Sequence, residues 1–370
     1  HQLGNINFKG KSLIQILRIR ESFSAWWLSL LVEKSNLYKS TYINEVLKIL
    51  ALNKWINNRE IREIKIYTQN KKLKSALNFY CQTRKIKFKE FKIKERQAWK
   101  LNISLKKKFF SLPFELRAFI WFVYKIFYNL PLINVGLDKW RKSDSEFLFV
   151  SYLFNMKNAF LSKFNSSSYW GNLPEKLNSD KKKTSWVHIF VKDNFIKNAF
   201  QASKLIKDLN LNNSSQVHVT LYSFLNFKVV CKVIRDWLRI YFAIKKCNLR
   251  SVFPELKGFN VWEFYQEDIF DSFFGNSLID NLLSLNLFEE AFKNKDRKVI
   301  LSYLLENQGW EIGMLAACNS KSFKKIIGFS HATTRYWDLR NFYDKRDYFN
   351  NDKLKLPRPN ILAVNSKNVY

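Results

Sequence analysis

Leu301–Arg340 reads LSYLLENQGWEIGMLAACNSKSFKKIIGFSHATTRYWDLR, and the order of its apolar and polar runs decides the fold. Val299–Leu305 is apolar but for Ser302, Glu306–Gly309 is a polar turn, and Trp310–Cys318 is apolar at helical spacing. Lys325–Phe329 is a second apolar run, and it delivers the polar loop Ser330–Arg335. Strand, helix and strand in that order predict a βαβ unit, hence a parallel sheet. In such sheets ligands bind beyond the carboxyl ends of the strands. Glu306, Gln308, Trp310 and Glu311 follow the first strand, and Ser330, His331, Thr333, Thr334 and Arg335 follow the second, so the two groups are expected on one crevice wall.

Working outward, the same alternation recurs. Arg62–Thr68 and Ile86–Ile93 read as strands around a helix at Lys71–Thr83, and Phe147–Phe154, Trp186–Val191 and Val217–Phe224 are further β-rich runs separated by helix-compatible segments. Pro359–Asn365 reads as a last strand, after which an α/β unit is expected to be cut short. Phe227–Lys246 reads as a long basic helix. Residues 251–275, with Pro254, Gly258 and Gly275, are the expected linker between an N-terminal domain, 1–250, and a C-terminal α/β domain, 276–370. The tandem Trp26-Trp27 is expected as a core anchor.

Among 370 residues, 47% are apolar and 17% aromatic, with nine Gly and six Pro, which describes a globular chain of long regular elements. The net charge of +32 predicts an anionic partner: nucleic acid, an anionic membrane surface or a phosphorylated substrate. A lysine-rich solvated surface in a composition rich in Lys, Asn, Ile and Phe explains the same number. Cys81, Cys231, Cys247 and Cys318 form no CxxC pair, and His1, His188, His218 and His331 share no metal-ligand spacing, so neither a disulfide framework nor a histidine metal site is indicated. The chain opens on His1 without a signal peptide, and its first residue is not expected to be a biological start.

From Arg84 to Lys108 there are eleven basic residues against Glu90 and Glu95, and Ala118–Val135 beyond them carries only Lys125. Segment 84–135 is therefore expected to face a membrane, lying in the interface, with a buried core helix and a true span as the competing readings. No RRM, KH, zinc-finger or homeodomain signature accompanies it, so no specific nucleic-acid partner is expected.

GxSxG, Walker A, GxGxxG and the kinase motifs are absent, as is a DxD pair, the nearest approach being Asp144-Ser-Glu146. Charge on a departing phosphate would then be met by cations, helix N-termini and hydroxyls, without a metal. Arg335 and Arg340 offer forked donors, Ser330, Thr333 and Thr334 hydroxyls, and His331 a donor or a proton carrier. Glu306 and Glu311 are candidates for hydroxyl acceptor or base, Glu311 alternatively for the helix N-terminus. Arg340 reads better as the partner of Asp338 in a structural pair. Tyr169-Trp170, in a turn-rich loop, either stack on a sugar or plug the domain surface.

ENQGWE (Glu306–Glu311), GFSHATTRYWDLR (Gly328–Arg340), LPRPNILAVNSK (Leu356–Lys367), WWLSLLVEKS (Trp26–Ser35) and YWGNLP (Tyr169–Pro174) together resemble bacterial surface-carbohydrate biosynthesis proteins, glycosyltransferases of O-antigen or capsule assembly with a GT-B architecture. The resemblance implies two facing Rossmann-like domains, the C-terminal one incomplete here. It also implies metal-independent transfer from a nucleotide-sugar donor, with no cofactor, to a glycan or lipid-linked acceptor. The implied location is cytoplasmic, peripheral on the inner face of the plasma membrane. On this reading Glu306, Glu311 and His331 are the catalytic candidates, and Gln308, Trp310, Ser330, Thr333, Thr334, Arg335, Arg340, Asn365, Tyr169 and Trp170 the substrate-binding ones. The alternative is a non-catalytic basic protein that binds nucleic acid or scaffolds a polysaccharide-assembly complex.

Overall fold

A computed structural model describes residues 3–34, 39–40, 42–91, 105–153, 169–252, 258–295, 298–319, 323–331, 339–348 and 353–364. Its centre is a six-stranded, wholly parallel sheet of β1 (Phe147–Leu153), β2 (Thr184–Phe190), β3 (Gln216–Thr220), β4 (Ile300–Leu304), β5 (Lys325–Phe329) and β6 (Ile361–Ala363). The spatial order is β3-β2-β1-β4-β5-β6. The chain winds outward from β1 to β3, returns to the middle at β4, and winds outward on the other side, the order of doubly wound dinucleotide-binding sheets. The inner strands are apolar on both faces, as a sheet covered on both sides requires. Leu148, Phe149, Val150, Trp186, Val187, Leu301 and Tyr303 are all buried.

The expected boundary at 251–275 falls inside this unit. Three strands come from before it and three from after, and β1 pairs directly with β4 through Phe147–Ile300 and Leu148–Leu301. Residues 262–273 are a helix whose Trp262, Phe264, Ile269 and Phe273 are buried, so the turn-forming signals of Pro254 and Gly258 end before the apolar face begins. Two Rossmann-like domains divided at that point are therefore not what the described residues form. Helix Asn276–Ala291 explains why: it is apolar around much of its circumference, and helices Phe114–Asn129, Phe227–Lys245, Trp262–Phe273 and Gly309–Asn319 all pack against it.

The N-terminal segment belongs to the same core. Trp26 stacks on Phe273 at 6.3 Å, and Trp27 donates its indole N–H to the Leu354 carbonyl at 2.7 Å. The tandem tryptophans are thus core anchors. Arg20 is held by Asp236 at 2.8 Å and Glu289 at 2.6 Å. A smaller lobe has its own core. Strands Glu63–Tyr67 and Lys87–Phe91 pair in parallel around helix Lys71–Thr83, and Tyr80 stacks on Phe259 at 4.0 Å. Among the described residues no helix is long and apolar enough to cross a membrane.

Candidate functional site

The site is written by the turn that follows β4. Leu305 continues the ladder by donating its N–H to Phe329 O at 2.8 Å, and the chain then reverses through Asn307, whose φ of 56° is left-handed. Gly309 opens the helix Gly309–Asn319 hard against Asn281, whose side-chain nitrogen would lie 2.5 Å from a Cβ. Only glycine fits there.

Glu311 fixes the shape of this turn. Its carboxylate accepts the backbone N–H of Glu306 at 3.0 Å, Asn307 at 2.9 Å and Gln308 at 3.2 Å. The residue is 1% exposed, and burial pushes its carboxyl up to about 8 against the pull of those N–H groups. A carboxylate in the first helical turn that reaches back to preceding amides is a capping device, so the capping alternative describes Glu311's contacts.

With the backbone clamped, the Glu306 side chain meets Tyr152, the penultimate residue of β1. The Tyr152 hydroxyl donates to Glu306 Oε2 at 2.9 Å and accepts from Trp310 Nε1 at 3.1 Å and Gln308 Nε2 at 3.4 Å. Gln308 also donates directly to Glu306. His331, just past β5, brings Nε2 within 3.3 Å of Glu306 Oε1, and the Tyr169 ring stands edge-on to it at 5.0 Å. Burial pushes the Glu306 carboxyl up, but hydrogen bonds from His331, Tyr152 and Gln308 outweigh it and hold the group below its ordinary value. Burial and Glu306 push Tyr152 well up, so the phenol keeps its proton and remains a donor.

These contacts sort the predicted residues. Glu306, with 24% of its side chain exposed, is the accessible acceptor, while the His331 side chain is 9% exposed and anchors it. Gln308 and Trp310 are in the cluster. Trp310 also stacks on Phe288 at 6.3 Å. Tyr169 and Trp170 separate: Tyr169 borders His331, but Trp170 is 6% exposed, donates to Ser151 Oγ at 3.0 Å and packs edge-on to Phe149 and Phe329. Trp170 is a core plug, and its expected stacking on substrate is corrected accordingly.

Ser330 lines a small neighbouring cavity of about 120 Å³ with Asn307, Tyr303, Tyr343 and Arg358. Arg340 lies in the short turn Leu339–Asn341, which docks on the site through Asn307 Nδ2 donating to Asn341 Oδ1 at 3.0 Å. Thr333, Thr334, Arg335, Asp338 and Asn365 lie outside the described residues. Sequence reasoning missed Tyr152, hidden in the apolar run FLFVSYLF; its one signal was a hydroxyl at the carboxyl end of a buried strand.

The cluster therefore stands at the seam between β1 and β4, where the winding reverses and where open parallel sheets bind their ligands. An ionised carboxylate held by three donors is better suited to accept hydroxyl hydrogen bonds than to take up a proton at neutral pH. Among the described residues no group of three or more His, Cys, Asp and Glu is placed to hold a metal ion.

No family model, no curated protein and no solved structure matches the chain.

Proposed function

We propose that this chain belongs to a glycosyltransferase that moves a sugar from a nucleotide-sugar donor to a surface glycan or lipid-linked acceptor. The observation that carries the reading is the Glu306–Tyr152–His331 cluster at the reversal point of a parallel sheet. Glu306 accepts ribose or sugar hydroxyls of the donor, His331 and Tyr152 keep its carboxylate ionised and aimed, and the cationic surface draws in the diphosphate. The motif resemblance supports the same substrate class. On this reading the protein works at the inner face of the plasma membrane as a peripheral enzyme.

The test is calorimetric titration of the purified chain with UDP-, GDP- and CMP-linked sugars, with glycan assembly in cells as the second readout. Binding of one nucleotide class, weakened at least tenfold by Glu306→Ala with an unchanged fold, is the expected result. No binding of any of them, or binding indifferent to Glu306→Ala and His331→Ala, overturns the reading. The net charge of +32 supports the competing scaffold reading, which predicts steeply salt-dependent binding of generic RNA instead.

A further inference from the structure

Helix Phe227–Lys245 has two apolar faces. Val229, Val233, Ile240 and Ile244 are buried against the core, as the interior stripe of a surface helix should be. On the other side Phe227, Ile234, Leu238 and Phe242, spaced by seven, four and four residues, form a second, exposed stripe, in which Phe242 stands edge-on to Tyr241 of the same helix at 5.3 Å. Phe227 is 80% and Phe242 58% exposed. Leaving two phenylalanines, an isoleucine and a leucine in water along one line has a cost that a solvated face does not carry.

The charges beside this stripe say what covers it. At 100° per residue, Lys228, Lys232, Arg235 and Arg239 project along one flank, Lys232 lying 3.8 Å from Glu289 and Arg235 3.7 Å from Asp236, and Lys245 and Lys246 close the C-terminal end. The helix has a single acidic residue, Asp236, which is buried and paired inward to Arg20 at 2.8 Å. The outward surface is thus apolar along its middle and cationic at its edge, without a carboxylate of its own. That combination is complementary to an anionic lipid bilayer, where the stripe enters the acyl boundary and the cations stay at the headgroups.

Helix Phe114–Asn129 offers a contrast. It exposes Leu116, Phe119, Ile120, Tyr124 and Phe127, but no exposed cation is interleaved with them, so nothing there selects a lipid over another apolar partner. Sequence reading directed membrane contact to segment 84–135, whose residues 92–104 lie outside the described structure.

We propose that the helix Phe227–Lys245 is the element that docks this protein on an anionic membrane surface, lying flat with Phe227, Ile234, Leu238 and Phe242 inserted and its basic flank against the headgroups. This deepens the peripheral part of the proposed function and rests on that part alone, independently of the transfer chemistry.

The test is vesicle co-sedimentation of the full chain, using phosphatidylcholine alone and phosphatidylcholine mixed with phosphatidylglycerol, at low and high salt. Three variants are compared: F227S/L238S/F242S in the stripe, K228Q/R239Q/K246Q on the flank, and F119S/F127S on the other helix. All change exposed side chains, and matching thermal unfolding confirms each fold. Binding should require the anionic lipid and fall about a hundredfold in the flank variant, each cation near such a surface contributing about fivefold. It should fall comparably in the stripe variant and persist in F119S/F127S.

If F119S/F127S abolishes binding while the stripe variant does not, the docking element is misassigned but the membrane reading survives. If the flank variant alone matters and RNA competes with vesicles, the surface is a polyanion site and the proposal fails. Stripe variants that dissolve a dimer without affecting sedimentation would make the occupant a second copy, again overturning it. A chain that ignores anionic vesicles yet binds nucleotide sugars defeats the docking inference and the peripheral location together, leaving the transferase reading intact.

Discussion

Tyr152 and Glu306 meet at 2.9 Å across the seam where β1 and β4 lie side by side, one near the end of the first strand of the first wound half and the other opening the turn after the first strand of the second half. This hydrogen bond ties the two halves together at the point where a ligand would sit. Removing it tests the site without dismantling it. Tyr152→Phe takes one donor from Glu306 and leaves the Trp310 indole N–H without its acceptor, while Gln308 keeps Glu306. The Glu306 carboxyl then moves back up toward its ordinary value, and nucleotide-sugar affinity falls about tenfold, the cost of one charge-assisted hydrogen bond. Titrations at several pH values should show the binding profile displaced upward in the variant.

Glu311 makes stability depend on pH with a definite sign. In the folded chain its carboxyl titrates at about 8 against an ordinary 4.5. The native state therefore retains a proton that the unfolded chain has released, and stability falls as pH rises from about 4.5 to about 8. The whole effect is on the order of a few kcal/mol. Denaturant midpoints measured between those limits should decline with pH in the parent and flatten in Glu311→Gln, which cannot ionise. Glu311→Ala, leaving three part-buried N–H groups without their acceptor, should cost about 3 kcal/mol near pH 4.5 and less as pH rises toward 8, because the parent loses stability over that range and the variant does not.

Arg20 bridges Asp236 and Glu289, at 2.8 and 2.6 Å. Arg20→Leu should destabilise by about 3 kcal/mol, because it leaves the buried Asp236 carboxylate with only the 3.7 Å contact to Arg235 and the Asn286 amide at 3.2 Å. The low end of the usual range applies, since about a quarter of the arginine remains in solvent. Urea unfolding reads the loss, and adding Asp236→Asn to the same chain should recover part of it.

Two glycines of one helix should respond oppositely to the same change. At Gly309 a methyl group would meet the Asn281 side chain at 2.5 Å, and that side chain is itself held by donating to Leu28 O at 2.8 Å. Gly309→Ala should cost about 1–3 kcal/mol and displace the site turn. At Gly313 the nearest atoms, in Leu285, are at ordinary contact of 3.4 Å. Gly313→Ala should be neutral or stabilise by about 0.5 kcal/mol through helix propensity. Thermal unfolding distinguishes the two.

How much of this was legible in the chain depended on the range of the interaction that fixes each feature. The unit β4–helix–β5 was readable almost to the residue, because a run of apolar residues, a polar turn and a helical spacing are local. Lys71–Thr83 came out with its predicted bounds, capped by Asn70, for the same reason. What could not be read was which strands share a sheet. Parallel strands pair through contacts distant in sequence, and nothing local in Phe147–Leu153 states that its neighbour is Ile300–Leu304. The site divided along the same line. Glu306, Gln308 and His331 follow strands that were recognised, whereas Tyr152 reaches them only through that unreadable pairing. Trp170 reads from the sequence as either a stacking platform or a plug, and its burial, which decides for the plug, is not written locally.

The pairing of Phe147 with Ile300 has a consequence for how the molecule is made. Strands β1 to β3 leave the ribosome long before β4, so the inner edge of β1, apolar on both faces, waits without a partner while the intervening helices are synthesised. Loop closure of that length is slow, and the waiting edge is a template for pairing with other chains. The central sheet can close only once β4 has arrived, and the turn that carries Glu306 is completed with it.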